Sequence, residues 1–540
     1  MNVPIRHRVM VAGAALLFAV ALVLPLAAQH EAVDLDVVYK IKEEGFQRSQ
    51  VMDVMSYLTD VYGPRLTNSP NYRKAADWTI AKMKEWGLTN PRTEKWVDEF
   101  GRGWSNDRFY AMAVSPQAFP IIAYPLAWTP GTNGPVTGEA VLAVISTEAD
   151  IEKFRGTLKG KFVLTQDPPE VLAFFDAPGR RFTDRELEDM AKQPEPAPQP
   201  GRQQAGPFGP GGPGGPGQPN FAAMQAFNRK RMDFFLQEGV AGLLQPGRGR
   251  GDHGSVLVGG AGSRNPKDPA VPPQVAVATE HYGRIARMLK KNAAVTLEMD
   301  IKNTFYDQDL TMFNILAEIP GSDKADEVVM LGGHFDSWHG GTGAVDNAAG
   351  TAAMMEAMRI LKTTGLKLRR TVRIGLWGGE EQGLIGSRQY VKQHFADRET
   401  MKLLPEHAKL AGYFNIDNGT GALRGVYLQG NEAVGPIFQA WMEPFRNLGM
   451  TTLTLRNTGG TDHLSFDAVG LPGFQFIQDP VEYSTLSHHS NLDVYERIQP
   501  ADMMKNAVIV ASFVYHTANR DQLLPRKPLP KPQPAQGPPR

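Results

Sequence analysis

The sequence predicts an α/β protein with a mostly parallel central sheet flanked by helices and a β-rich inserted domain. Three observations carry that expectation. From about Phe305 onward, wholly apolar runs alternate with helical patterns, as in a sheet covered by helices on both faces. Between Phe109 and Thr304, short apolar runs alternate with glycine-rich turns, a strand-rich texture of a different kind. Ahead of Phe109, the stretch from Ser49 to Gly87 reads as two helices separated by "YGPRLTNSPNYR".

Taken in order, Arg6 and Arg8 precede an uncharged apolar run from Val9 to Ala28 that ends in "LPLAAQH". A charged start, an apolar centre and a small-residue exit describe a signal peptide over residues 1–28, cleaved after Ala28. The expectation is an exported, periplasmic or secreted protein with no stable membrane span after cleavage. The alternative is an N-terminal membrane anchor, because about 20 apolar residues can span a bilayer. No cysteine follows the run, which excludes a lipoprotein.

The helix "NYRKAADWTIAKMKEWGL" places Ala76, Ile80, Met83 and Trp86 at helical spacing, and "PRTEKWVDEF" follows as a strand. The runs "GEAVLAVI", "GKFVLTQ", "VAGLLQP" and "PQVAVAT" then supply strands of the inserted domain. Inside it, residues 194–219 are nearly all Pro, Gly and Gln and cannot bury enough apolar surface to offset their ordering entropy. That segment is expected to be a disordered loop. The Pro-rich tail over 521–540 is expected to be extended for the same reason. In the last region "VVMLGG", "TVRIGLWGG", "LAGYFNI" and "LPGFQFI" are strands, with helices at Asn347–Thr363, Leu384–Phe395, Val434–Leu448 and Ala501–Thr517.

Bulk composition narrows the chemistry. The 540 residues exceed one ordinary domain of about 150 residues. Lys+Arg and Asp+Glu both total 57, so the basic footprint of a nucleic-acid binder is absent. With no cysteine, a thiol nucleophile, Cys-ligated zinc and disulfides are all excluded.

The apolar strands of the last region exit into acids, histidines or both. The first yields His334 and Asp336, then Asp346 at the start of the next helix; the second yields Glu380 and Glu381; the third yields Asp417. Farther on, "SHHSNLD" adds His488, His489 and Asp493. In a sheet of this class ligands bind beyond the carboxyl ends of strands, so these groups are expected to meet there. Taken singly, each has an ordinary explanation: Asp346 as a helix cap, Glu380 and Glu381 as a solvated pair, the histidines as loop residues. Their joint occurrence at successive strand ends is harder to obtain by accident.

Imidazole and carboxylate without sulfur suit zinc, or cobalt or manganese. Two His and three carboxylates can serve two adjacent divalent ions if one carboxylate bridges. Asp336 shares a side of an extended segment with His334 and is placed to accept its other ring N–H. Of the neighbours Glu380 and Glu381, one can bind metal while the other takes a proton from water.

"HFDSWHGGTGAVDNAAG", "GLWGGEEQGLIGSRQYV", "FNID", "GGTDHLSF" and "HHSNLD" resemble the motifs of the co-catalytic di-zinc exopeptidases. That family includes bacterial secreted aminopeptidases and carboxypeptidase Q, and the C-terminal stretch "LPGFQFIQDPVEYSTLSHHSNLDVYERI" is most similar to carboxypeptidase Q-like bacterial members. The resemblance implies the di-zinc exopeptidase fold, split around a protease-associated insert. It implies a catalytic domain at 36–109 and 305–520, with the insert at 110–304. It implies two Zn²⁺, one held by His334 and Asp417, the other by Glu381 and His489, with Asp346 between them. Glu380 would be the general base and His488 a donor to the tetrahedral oxyanion. Asp462 and His463 align with a loop near substrate and receive no role.

The implied activity is a metallopeptidase acting near a peptide terminus, as aminopeptidase or dipeptidase, with a homodimer as one assembly the family allows. The interval "FDAVGLPGFQFIQDPVEYSTLS" contains no arginine, against a strong preference for acidic C-terminal residues. Two other readings share the scaffold: a glutaminyl cyclase-like aminoacyltransferase using one zinc, and a non-enzymatic receptor-like protein, whose relatives lose ligand residues.

Overall fold

The computed structural model describes residues 31–193, 221–247 and 253–532. The expected signal peptide at 1–28, the Pro/Gly-rich stretch at 194–219 and the end of the tail lie outside the described residues.

The main sheet has eight strands in the spatial order Thr89–Lys95, Phe313–Ile319, Arg370–Trp377, Lys324–His334, Leu410–Asn415, Gly473–Gln478, Leu423–Tyr427 and Thr452–Thr454. The four strands from Arg370–Trp377 to Gly473–Gln478 are mutually parallel. Antiparallel pairings flank them on both sides, so the sheet is mixed, with its parallel part at the centre. Parallel neighbours need a crossover long enough to return the chain. The helices Ala349–Thr363 and Ile385–His394 supply it, and each leaves the carboxyl end of one strand free to carry a polar loop.

Helix Ala349–Thr363 is buried from Ala349 through Leu361. It packs on the sheet beside helix Pro500–Asn519, which also touches the central strands, and against helix Leu35–Gln47. Two charged residues sit inside this apolar layer, and their partner explains how. Arg359 binds Glu356 (Nε to Oε2, 2.7 Å) and reaches Glu44 of the first helix (Nη1 to Oε1, 2.6 Å). A buried charge is tolerable only when paired and hydrogen-bonded. Helix Leu35–Gln47 was not anticipated: Glu44 interrupts its apolar face, and Arg359 lies far away in sequence. Its start is nonetheless capped, the Asp34 side chain accepting from Val37 N–H. Helix Pro500–Asn519 begins on proline, whose missing N–H costs nothing there. At its other end Arg370 Nη1 donates to Thr517 O (3.1 Å), satisfying a terminal carbonyl.

A second eight-stranded sheet is built from residues between Gly103 and Tyr306. Three helices accompany it, Glu148–Phe154, Phe221–Glu238 and Thr279–Lys290, so the unit is mixed α/β rather than predominantly β, while helix Asp184–Lys192 packs on the main-sheet strand Thr452–Thr454. Its entry and exit strands, Gly103–Ser115 and Thr296–Tyr306, pair antiparallel along their length. The chain therefore leaves and rejoins the main body at adjacent points. This unit also touches the loop after the last central strand: Val258 N–H donates to His489 O (3.0 Å), and Arg180 N–H to Val481 O (3.0 Å). Among the described residues no helix is long and apolar enough to cross a membrane.

Candidate metal centre

His334 ends strand Lys324–His334 and is 1% exposed. Its Nδ1 lies 3.0 Å from the main-chain carbonyl of Asp336, while the Asp336 carboxylate stands at 3.7 Å. The proton on Nδ1 therefore goes to the carbonyl, not to the carboxylate as anticipated. The consequence for the ring is the same: Nε2 is left with its lone pair facing inward. The carboxylate has other work. It accepts from Thr67 Oγ1 (2.8 Å) and from the backbone N–H groups of Glu380 (3.2 Å) and Glu381 (3.4 Å). A fully buried carboxylate gains more from three donors than from one.

Two tight backbone positions set the acids. Gly343 has φ +68° just ahead of Asp346, and a Cβ there would lie 2.3 Å from Ser337 Cβ. Gly379 has φ +64° immediately before Glu380, and a Cβ would lie 2.8 Å from the Trp96 ring. Only glycine accepts both the left-handed turn and the close approach.

Asp346 lies between two histidine–acid pairs. Its Oδ1 is 3.1 Å from His334 Nε2, which is 3.3 Å from Asp417 Oδ1. Its Oδ2 is 3.2 Å from His489 Nε2, which is 2.9 Å from Glu381 Oε2. Ligands bound tetrahedrally at about 2.0–2.1 Å from one ion would stand about 3.3 Å apart. His334, Asp346 and Asp417 offer ligand atoms mutually close enough to share an ion, and so do Asp346, His488 and His489, with Glu381 approaching His489. Asp346 Oδ2 and Glu381 Oε1 are buried without a well-formed hydrogen bond, although the former is close to His489 Nε2; nearness without hydrogen-bond geometry is what ligands sharing an ion display. The donor set, imidazole nitrogen and carboxylate oxygen, fits a pair of divalent ions.

Electrostatics point the same way. Asp336, Asp346 and Glu380 are all buried, Asp417 and Glu381 nearly so. The nearby buried cation Arg65 is held by main-chain carbonyls of Phe335 (2.8 Å), Leu58 (2.7 Å) and Gly343 (2.9 Å). The acids must therefore share protons or metal. Burial, with Asp417, Asp462 and Glu381 nearby, pushes Glu380 well above the usual carboxylate range. Burial also lifts Glu381 to about 7, with His489 opposing and Asp346 adding. For His489 burial works downward, but Glu381 and Asp346 raise it to about 10. A divalent ion would displace such protons.

The other anticipated residues fall in place as follows. His488 Nε2 is 3.6 Å from Asp346 Oδ2, and its ring stacks on His489 at 3.8 Å. Asp462 is fully buried with neither carboxylate oxygen in a well-formed hydrogen bond, and burial, opposed by His334 and Ser387, lifts it to about 7. His463 instead faces the Gln429 side chain and Thr458 O. His489 adopts φ +58°, a conformation that costs energy outside glycine and collects at functional sites. The Val258 hydrogen bond to its carbonyl holds it there.

Two further participants had no assigned role. Asp493 accepts from the backbone N–H groups of Val345 and of Asp346 (3.3 Å), clamping the loop that presents Asp346. Its place in "HHSNLD" was the available signal. Tyr483 lies with its ring 4.6 Å from His488, and burial together with Asp346 and Asp417 raises its hydroxyl well above the usual value. Nothing in "VEYSTLS" singled it out.

Residues 314–514, the stretch that holds every proposed ligand, match the model of peptidase family M28. Carboxypeptidase Q of Rattus norvegicus is 25% identical over 497 residues, covering 92% of this chain and 89% of the relative. Carboxypeptidase Q of Mus musculus is 32% identical over 254 residues, covering 47% and 52%. Matches to the cattle and human carboxypeptidase Q likewise span about half of each relative (51%). Among solved structures, a peptidase M28 precursor from Shewanella amazonensis superposes with a TM-score of 0.62 at 24% identity, covering 92% of this chain and 98% of that one. A zinc aminopeptidase from Bacillus subtilis has a TM-score of 0.51 at 17% identity, covering 87% and 95%. These two share the fold.

Proposed function

We propose that the chain is an exported zinc-dependent exopeptidase, an aminopeptidase or dipeptidase, cleaving peptide bonds beside a chain terminus. One observation carries the reading: the two oxygens of Asp346 face two different histidine–acid pairs, at 3.1 and 3.2 Å. In this reading one ion takes His334, Asp417 and Asp346, and the other takes Glu381, His489 and Asp346. Zinc is the metal named for the Bacillus subtilis aminopeptidase. When bound, two such ions polarise the scissile carbonyl and acidify a water. The second sheet corresponds to the protease-associated insert that the sequence motifs imply.

Glu380 then acts as general base, taking the proton of the attacking water and passing it to the leaving amine. A raised carboxyl suits both halves of that task. The Asp336 carboxylate holds the Glu380 and Glu381 amides, so base and ligand keep a common position. In this reading His488, 3.6 Å from Asp346, with the Tyr483 ring beside it, supplies the donor to the tetrahedral oxyanion.

Elemental analysis and a dipeptide panel with free and blocked termini, assayed on zinc-loaded protein, test the reading. Two ions per chain and terminus-dependent hydrolysis support it. One ion per chain, with ammonia released from an N-terminal glutamine peptide, would favour the cyclase instead.

A further inference from the structure

The loop that carries His489 is paired, residue for residue, with a short segment of the second unit. Val258 N–H donates to His489 O (3.0 Å), Leu257 is bridged antiparallel to Ser490, and Asn491 N–H donates to Val256 O (3.1 Å). Successive residues on the two sides thus face one another in the register of a minimal antiparallel ladder. Asn491 closes it with its side chain. Its Oδ1 accepts from Val256 N–H (2.6 Å) and its Nδ2 donates to Gly254 O (3.2 Å), so the amide takes the place of a main-chain pair.

The segment is itself well seated. Val256 and Val258 are buried with Leu126, Ala276 and Ala278 in an apolar cluster of the second unit, against which Trp338 packs. Trp338 meets the His489 ring edge-on, centroids 6.2 Å apart, and is backed by Trp128 at 6.1 Å. The second unit therefore holds the carbonyl of this ligand directly and its imidazole through Trp338. His489 needs such support, because at φ +58° a residue with a β-carbon stays only where its surroundings over-determine it. The ligands on the other side are fixed differently. His334 ends a strand paired on both sides, and Asp417 follows strand Leu410–Asn415 by two residues, so the main sheet sets both.

We propose that Asn491 is a positioning residue for His489, and that through it the second unit sets the affinity of one metal site and not the other. The proposal rests on the two-ion reading of the centre. A ligand that must be re-ordered each time an ion binds holds that ion less tightly, and loss of an outer partner lowers affinity by about 10- to 100-fold.

The test measures Zn²⁺ binding to the full chain by competition with a chromogenic chelator, beside the urea midpoint of the same chain after metal removal. Asn491→Ala should weaken one of the two ions by about tenfold or more and leave the other unchanged. Asn491→Asp keeps an acceptor for Val256 N–H but loses the donor to Gly254 O, and should fall between. Two single-site backgrounds identify the ion. In Asp417→Ala, which keeps the His489 side, adding Asn491→Ala should weaken the remaining ion. In Glu381→Ala, which keeps the His334 side, it should change nothing. Should Asn491→Ala not fold, Asn491→Asp in the same two backgrounds carries the test. Equal weakening in both backgrounds, weakening in neither, or a loss that only follows a lowered urea midpoint makes Asn491 structural and overturns the proposal. A wild-type chain that takes up fewer than two ions defeats the two-ion reading and the proposal with it.

Discussion

The Asp336 carboxylate and the backbone of Glu380 are joined across two strand ends, Glu380 N–H donating to Asp336 Oδ1 at 3.2 Å. This bond makes one unit of the His334 strand end and the turn that bears Glu380 and Glu381. Asp336 therefore acts as a positioning residue for two neighbours at once. Its effect on His334 passes through its own carbonyl, 3.0 Å from the ring nitrogen.

Glu380→Gln should keep both ions and lose turnover by about 10²- to 10⁴-fold, since the amide has no acceptor for the proton of water. Metal content and kcat measured on the same preparation check this. Near wild-type turnover in that variant would remove Glu380 from the mechanism.

Asp346→Ala should cost both ions, because each oxygen faces a different histidine. Asp417→Ala, which touches only the His334 side, should cost one. Metal stoichiometry after dialysis distinguishes them. Equal loss in both variants would contradict the division into two triplets.

Asp493→Asn keeps the size of the side chain but weakens the clamp on the Val345 and Asp346 amides. Changes of this kind lower metal affinity by about 10- to 100-fold. Competition with a chromogenic chelator measures it, and unaltered affinity would make Asp493 a bystander.

Arg359→Met would leave Glu356 buried without its cation and Glu44 with Arg48 as its remaining partner. Breaking a buried pair from one side costs about 3–5 kcal/mol. Urea unfolding reads the loss, and Glu44→Gln combined with it should recover part of the stability.

Burial holds His463 down to about 3, against a hydrogen bond to Thr458 O that favours its charged form. The unfolded chain takes up this proton near pH 6.5, so between about 3 and 6.5 the unfolded state binds more protons. The stabilisation is fully present above pH 6.5 and falls by about 1.4 kcal/mol per pH unit as the solution is acidified toward 3. His463→Gln should flatten that limb of the curve of stability against pH. An unchanged limb would assign it to other groups.

The motifs at the strand ends were readable because each combines a local period with a local interruption. "VVMLGGH" alternates nowhere, as a strand covered on both faces requires, and then ends on ionisable groups; the same holds for "LAGYFNID". Apolar strands, crossover helices and the identity of the converging groups follow from such local patterns. The helix at Leu35–Gln47 was not legible, because Glu44 looks like an exposed residue until Arg359 is known to lie against it. The antiparallel flanks of the sheet were not legible either, since a strand's direction depends on which neighbour it finds.

By itself, then, the order of residues determined which elements form and which side chains stand at their ends, for those are consequences of short-range periodicity and backbone preference. Only the tertiary structure decided that Asp346 faces two histidines and that Asp493 clamps its loop. Those relationships join residues far apart along the chain. They are set by the packing of sheet, helices and insert, which no local pattern encodes.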